Sequence, residues 1–397
     1  MKRIWIVIAC AGAIMCISAG ARQTLGLFLA PISLEHGFGR ETFALGMGIM
    51  NLIFGLGSPF AGAISDRYGA GRVVAAGALV YAAGLMAMTL SGDGEQLLLG
   101  GTLLGLGMSA TGATVILGTV GRAVPAEQRS RALGLVAMFG STGQFLALPS
   151  THLLIDGFGW VAALTVLAAA ALLVAPLAAG IAGRPASADA GEAQSVGEAL
   201  GEARQTRSFW LLGAGFFVCG FHVAFVAIHF PAFLSDQGLA AWVGAAALTV
   251  IGVGNMLGSY VWGALGGHYP KKAMLSLLYL LRAALFLMLL LLPLNAGVVL
   301  AFSAIMGFLW LGTVPLTSAL VGHIFGTRYM SMLFGIVFLS HQCGAFLGAW
   351  LAGYSYDALG SYDAMWWLSI ALGLGSALLH WPIEERPVSR TAAEERS

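Results

Sequence analysis

The chain has 397 residues, 58% of them hydrophobic and only 9% charged, with a net charge of +1. A soluble domain carries about 25% charged residues, so this composition excludes an ordinary water-soluble globule, and the near-neutral charge excludes a polybasic nucleic-acid surface. The 56 glycines and four scattered cysteines, Cys10, Cys16, Cys219 and Cys343, fit close helix–helix packing rather than a disulfide frame or a metal cluster.

A bilayer-spanning helix needs about 20 mostly apolar residues. Twelve segments meet that requirement, near 4–30, 42–63, 73–91, 97–119, 131–154, 160–180, 209–233, 242–265, 273–293, 297–320, 331–353 and 362–381. The first follows Met1-Lys2-Arg3 as a signal peptide would, but its apolar run resumes after Arg22-Gln23-Thr24 and is long enough to span. Breaks fall at His36-Gly37-Phe38-Gly39, Ser91-Gly92-Asp93-Gly94, Pro125-Ala126-Glu127-Gln128 and Asp156-Gly157. The stretch 183–207 differs. It mixes charged with small residues and reads as a linker between a six-helix half at 1–182 and another at 208–383, with a tail at 384–397.

Of the 19 basic residues, all but Arg22, Arg40 and Arg282 fall on one side of this arrangement. The positive-inside bias puts both termini, the linker and the tail in the cytoplasm, as in a bacterial inner-membrane protein. The halves match at a constant offset of 201 residues. Gly57, Gly62, Ala63 and Tyr68 correspond to Gly258, Gly263, Ala264 and Tyr269, and Val120-Gly121 to Val321-Gly322. Gly134, Gly143, Asp156 and Gly159 correspond to Gly335, Gly344, Asp357 and Gly360. One ungapped offset across separate regions implies two parallel six-helix repeats. The expected fold is an all-α membrane protein of twelve transmembrane helices in two pseudo-symmetric six-helix bundles.

Arg22 and Arg282 lie inside apolar segments, whereas every carboxylate falls in a loop, cap or tail. A charge at the bilayer centre costs at least ~2.5–3.5 kcal/mol on insertion scales and marks a pathway or site. With no acid at the same depth, the simplest partner for these cations is an anion. A guanidinium offers a fixed fork of donors that suits a carboxylate, and Arg22 is the leading substrate contact. Arg282 fits a site role and a structural role, bonding carbonyls of helix 8 or 10, equally well. Other polar residues share the midplane: Gln23, Asn51, Gln144, His222, Asn255, His341 and Gln342, with Trp310 near the centre of the tenth segment and His229 about two turns beyond His222. Each also has an ordinary reading as an interhelical hydrogen bond or a packed ring.

Between the second and third segments the chain reads Gly62-Ala63-Ile64-Ser65-Asp66-Arg67-Tyr68-Gly69-Ala70-Gly71-Arg72. This resembles the G-x-x-x-D-R-x-G-x-R signature of the major facilitator superfamily, with its last residues shifted by one place. The resemblance implies that Gly62, Asp66, Arg67, Gly69 and Arg72 form a conformational latch, with Asp66 facing the positive N-terminus of a helix in the other half, helix 11. The second-half copy is degraded, with Gly267-His268-Tyr269 in place of Asp66-Arg67-Tyr68. Within that superfamily, Thr24-Leu25-Gly26-Leu27-Phe28 and Phe325-Gly326-Thr327-Arg328-Tyr329, with Asp357-Ala358-Leu359-Gly360-Ser361-Tyr362, are similar to the monocarboxylate porter group. Animal members of that group carry a lysine at about the position of Gln23 and an arginine near Ser259. Neither is present here, and Arg22 stands one place from the lysine position. The family fold lines its cavity with helices 1, 4, 7 and 10 and with 2, 5, 8 and 11, and leaves 3, 6, 9 and 12 as support.

The expected function is a rocker-switch carrier of a small organic anion, a monocarboxylate, acting as a monomer in the bilayer without cofactor or metal. The expected substrate contacts are Arg22, Gln23, Asn51, Gln144, His222, Asn255, Trp310, His341 and Gln342. A co-transported proton would ride on His222, His229 or His341, because no carboxylate lies at midplane depth. The alternative is an exporter of amphipathic drugs with a cavity lined by Phe28, Phe145, Phe225, Met256 and Trp310. No zinc-protease, triad or phosphate-loop pattern points to an enzyme.

Overall fold

The computed structural model describes residues 2–28, 31–32, 35, 40–90, 94–182 and 194–388. The turn at His36-Gly37-Phe38-Gly39, most of the break at Ser91-Gly92-Asp93-Gly94, linker residues 183–193 and tail residues 389–397 lie outside the described residues. Span 1 is Lys2–Thr24, extended by a 3-10 turn at Leu25–Phe28; spans 2 and 3 are Arg40–Tyr68 and Ala70–Thr89. Span 4 is split into Gly94–Thr111 and Ala113–Ala123, and span 5 is Ala126–Phe158. Span 6 runs through Trp160–Leu172, Val174–Leu177 and Ala178–Ile181. Spans 7, 8 and 9 are Arg207–Asp236, Ala241–Leu265 and Lys271–Leu291. Span 10 is split into Ala296–Leu309 and Thr313–Ile324; spans 11 and 12 are Met330–Leu359 and Asp363–His380.

Eleven of these are long and apolar enough to cross a bilayer, among the described residues. The twelfth, Asp363–His380, is not among the eleven, because Asp363 and His380 bring polarity to both ends of an 18-residue helix. The linker region is partly ordered: Val196–Gln205 forms a helix opened by a capping box between Ser195 and Glu198. The Ser195 N–H and hydroxyl groups hold the Glu198 carboxyl below its usual range.

Within the first half, span 1 packs on span 5, span 4 on spans 2 and 3, and span 3 on span 6. Within the second, span 7 packs on span 11, span 8 on span 10, and span 12 on spans 9 and 7. The halves join chiefly through two crossings, span 2 on span 11 and span 5 on span 8, with further packing of span 4 on span 11 and of span 10 on span 5. Glycine permits both crossings. A Cβ on Gly62 would lie 2.5 Å from the Ser331 carbonyl carbon, and one on Gly263 would lie 2.4 Å from the Gly134 Cα. Gly62 and Gly263 stand 201 residues apart, as do Ser331 and Ser130, whose carbonyl oxygen would lie 3.1 Å from the Gly263 Cβ, so the sequence repeat is also a repeat of interface geometry.

Both split spans break at matching places, Gly112 in span 4 and Trp310–Gly312 in span 10. A break in a membrane helix frees backbone groups that water cannot satisfy. At span 10 four of them are met from neighbouring helices. Trp262 Nε1 donates to the Phe308 carbonyl at 3.1 Å. Arg282 donates to Leu309 through Nε at 3.1 Å and through Nη2 to Leu309 and Trp310. The Leu311 N–H donates to Asn255 Oδ1 at 3.1 Å.

Candidate functional site

The structure sorts the sequence candidates into three places. The first is the seam between the halves. Arg22, in the last turn of span 1, donates from Nη2 to Asn51 Oδ1 at 3.2 Å, its one hydrogen-bond partner among the described residues. Asn51 is oriented by its own Nδ2–H bond to the Met47 carbonyl at 3.0 Å. The Arg22 guanidinium lies over the Phe54 ring, 5.5 Å from its centroid. Phe54 meets Phe338 of span 11 across the seam at 5.1 Å. Phe338 stacks on His341 at 5.4 Å, and Phe216 closes the other side of that imidazole at 4.8 Å. Gln342 faces span 2, where a Cβ on Gly55 would lie 3.0 Å from its own Cβ.

His341 Nδ1–H donates to Gln342 Oε1 at 3.1 Å, which leaves Nε2 as the lone-pair nitrogen. That Nε2 and the Gln342 Nε2 amide are buried without partners. A buried polar group left unpaired costs about 1–3 kcal/mol. Among the described residues, the seam and its border therefore hold an arginine with spare donors, an unfilled acceptor and an unfilled amide donor, separated by aromatic rings. That set suits a small molecule with a carboxylate at one end.

The second place is the interior of the second half, where several candidates have structural partners instead. Arg282 is fully buried and bonds the span 10 break, so of its two sequence readings the geometry supports the carbonyl-bonding one. Asn255 is occupied by Leu311 and by the Ser259 hydroxyl at 3.3 Å, and Trp310 is buried at the break itself. His222, expected at the cavity, points the other way: its Nε2 donates to the Ser369 carbonyl of span 12 at 2.9 Å and its ring packs on Phe286 of span 9. The cause is helical phase, since the face of span 7 that carries His222 is turned toward the support helices.

The remaining candidates scatter. His229 Nε2 donates to the Ala349 carbonyl at 2.9 Å and its Nδ1 accepts from the Tyr362 hydroxyl at 3.2 Å, tying span 7 to span 11. Gln23 is exposed and Gln144 half-buried, and neither joins Arg22.

The third place is the Asp66 end of the bundle. Asp66 is buried and accepts from the Met332 N–H at 2.9 Å, in the first turn of span 11. Its other oxygen pairs with Arg122, whose Nη1 also donates to the Ser331 hydroxyl at 3.0 Å. Gly62 packs on the Ser331–Met332 backbone, and Gly69 takes a positive φ of 94° to turn into span 3. Arg67 and Arg72 are exposed, and the cation on Asp66 is Arg122 instead. In the sequence Arg122 was legible only as a basic residue closing the fourth segment. Phe54, Phe216 and Phe338 carried no signal among 22 phenylalanines.

The family described as Major Facilitator Superfamily matches residues 11–337 and 245–397. The human protein named Monocarboxylate transporter 11 is 26% identical over 390 residues, 95% of this chain and 82% of that protein. A Bacillus subtilis protein named an uncharacterized MFS-type transporter, YcxA, is 24% identical over 366 residues, 86% of this chain and 85% of that one. Among solved structures, the E. coli fucose:proton symporter FucP, including its outward conformation, superposes with a TM-score of 0.72 at 18% identity. That match covers 94% of this chain and 98% of FucP, and at such identity it shows the fold alone.

Proposed function

Since the chain belongs to the major facilitator superfamily, we propose that this multi-pass transporter moves a small organic anion, a monocarboxylate, by alternating access. Its setting is a bacterial inner membrane with both termini cytoplasmic, as the one-sided basic residues indicate. The observation that carries the substrate reading is Arg22: a guanidinium that, among the described residues, has one hydrogen-bond partner and a ring beside the seam, and no acid.

The carboxylate takes two parallel N–H bonds from Arg22, displacing Asn51 or sharing the fork with it. Phe54 and Phe338 flank the short apolar part of the solute. His341 Nε2 and the Gln342 amide meet its remaining polar groups. Because these contacts come from spans 1 and 2 on one side and span 11 on the other, binding favours the state in which both halves reach the solute at once. The Asp66–Arg122 pair and the Met332 N–H hold the opposite closure in place until the solute arrives. A proton travels with the anion on His341, the one midplane histidine at the seam.

The drug-export alternative loses lining residues, since Phe225 packs on Trp366 of span 12 and Trp310 sits at the span 10 break. The names of the relatives also point to monocarboxylates.

The test is uptake of radiolabelled short-chain monocarboxylates into proteoliposomes, with sugars and dicarboxylates as controls. Arg22→Ala is expected to abolish uptake while keeping the parent's circular dichroism and melting temperature. Arg22→Lys should retain a reduced rate, because it keeps the charge without the fork. Parental uptake by Arg22→Ala would sink the assignment.

A further inference from the structure

Spans 2 and 11 run antiparallel and touch along the part of the seam nearest Asp66. A Cβ on Gly335 would lie 2.8 Å from the Pro59 Cα, and one on Gly55 would lie 3.2 Å from Leu339 Cδ1 and 3.0 Å from Gln342 Cβ. Farther from Asp66 the two helices part. A Cβ on Gly48 of span 2 would meet nothing within 4 Å among the described residues. On span 11, the Phe346 side chain is 62% exposed.

Helical phase puts these two positions opposite each other. Seven residues make nearly two turns, about 10 Å of rise, and return to the same face. Phe346 stands seven residues beyond Leu339, and Gly48 stands seven residues before Gly55. Equal steps from the Gly55–Leu339 contact, along antiparallel helices, therefore reach Gly48 and Phe346. Exposed rings face lipid in an aromatic belt, but Phe346 shares the face of Gly335 and Leu339, which is turned to span 2. Its ring stacks on Trp350 with centroids 6.4 Å apart, and Trp350 stacks on Tyr354 at 6.2 Å, so the ring is braced from its own helix.

The other crossing shows the same repeat position engaged. Phe145 of span 5 is the counterpart of Phe346 at the offset of 201. A Cβ on Gly252 of span 8 would lie 3.7 Å from Phe145 Cδ2. One phenylalanine of the pair lies on its partner helix, and the other stands clear of it.

We infer that Phe346 is the gate at the end of the seam away from Asp66, closing onto Gly48 when the Asp66 end opens; this rests on the alternating-access reading above. The missing side chain at Gly48 is what admits a ring close to the span 2 backbone. Gly48 and Asn51 are three residues apart and neighbours on the surface of span 2, and Asn51 holds Arg22. The closed ring comes down beside the Arg22 site and shuts it from that end. The seam then closes at one end at a time, on Gly62 and Ser331 or on Gly48 and Phe346.

The experiment joins Gly48→Cys to Phe346→Cys with a short bifunctional thiol reagent, in the full chain carrying Cys10→Ala, Cys16→Ala and Cys343→Ala. Cys219 is fully buried and stays. Cross-linking should be scarce with the Asp66–Arg122 pair intact and should rise when Asp66→Asn and Arg122→Gln are added. A companion chain with Ser130→Cys reports, by labelling, whether those changes open the Asp66 end. If labelling rises and the cross-link does not, the inference is overturned. If labelling stays at the parent's level, Gly48→Leu decides, because its side chain should block the ring. That variant should keep the parent's melting temperature and lose uptake, and parental uptake would overturn the gate. The cross-link uses no solute, so its failure is distinct from a failure of the anion reading.

Discussion

Arg282 on span 9 donates to the carbonyl of Leu309, 27 positions away, at the point where the first half of span 10 ends. Its repeat counterpart is Tyr81, whose hydroxyl instead bonds the Ser18 carbonyl at 3.2 Å. One position in the repeat therefore braces a broken helix in the second half and ties span 3 to span 1 in the first. Removing the arginine strips the Leu309 and Trp310 carbonyls of their donors. Arg282→Met should lower stability by roughly 2–6 kcal/mol, from two bared carbonyls at about 1–3 kcal/mol each. Arg282→Lys should fall between, since an ammonium offers no fork. Thermal unfolding in detergent measures both.

Asp66 and Arg122 should act as a unit. Each also touches span 11, through Met332 and Ser331. Asp66→Asn and Arg122→Gln should each weaken closure at this end, and the double variant should lose less than the sum of the two, with a coupling of about 1–3 kcal/mol. Cross-linking yield between cysteines placed on spans 2 and 11 reads the closure directly. Additive effects would show that the pair carries no shared energy.

The crossing of spans 5 and 8 leaves no room for a side chain at Gly134 or Gly263. Gly263→Leu should block close approach of the halves here, since overpacking costs roughly 1–3 kcal/mol or more. The expected result is a protein that folds but is trapped open at the Asp66 end. Increased labelling of a cysteine at Ser130, whose hydroxyl bonds the Gly263 carbonyl at 2.7 Å, would register it.

His222 should be dispensable for proton coupling. It is fully buried against spans 9 and 12, with its Nε2–H on the Ser369 carbonyl. His222→Gln should keep pH-gradient-driven uptake and lose about 1–2 kcal/mol of stability from the altered hydrogen bond. His341→Gln, at the seam, should uncouple uptake from the gradient. The reverse pattern would move the proton site into the support helices.

Much of the fold was legible in the chain. Twelve apolar runs, the bias of basic residues and the offset of 201 are one-dimensional patterns, and a bilayer leaves the backbone few alternatives to helices. Two of the glycine matches, Gly62 with Gly263 and Gly134 with Gly335, lie where the halves touch, whereas Gly57 with Gly258 and Gly143 with Gly344 pack within a half; close approach constrains residue size in both cases, so the sequence does not tell them apart. Asp66 was readable because its motif is local and its partner is a helix end.

The roles of the polar residues were not legible, because they depend on helical phase and on which neighbour stands opposite. Arg22 and Arg282 look alike in a sequence, each a lone cation in an apolar run. Only tertiary packing turns one toward the Asn51–Phe54 face at the seam and the other onto the Leu309 carbonyl. Asn255 likewise reads as a cavity residue until the break in span 10 presents it with the Leu311 N–H. A sequence shows how many buried polar groups must find partners. Which partner each one finds is decided by the three-dimensional crossing of helices, because a hydrogen bond is made at about 3 Å and neighbours at that distance come from anywhere in the chain.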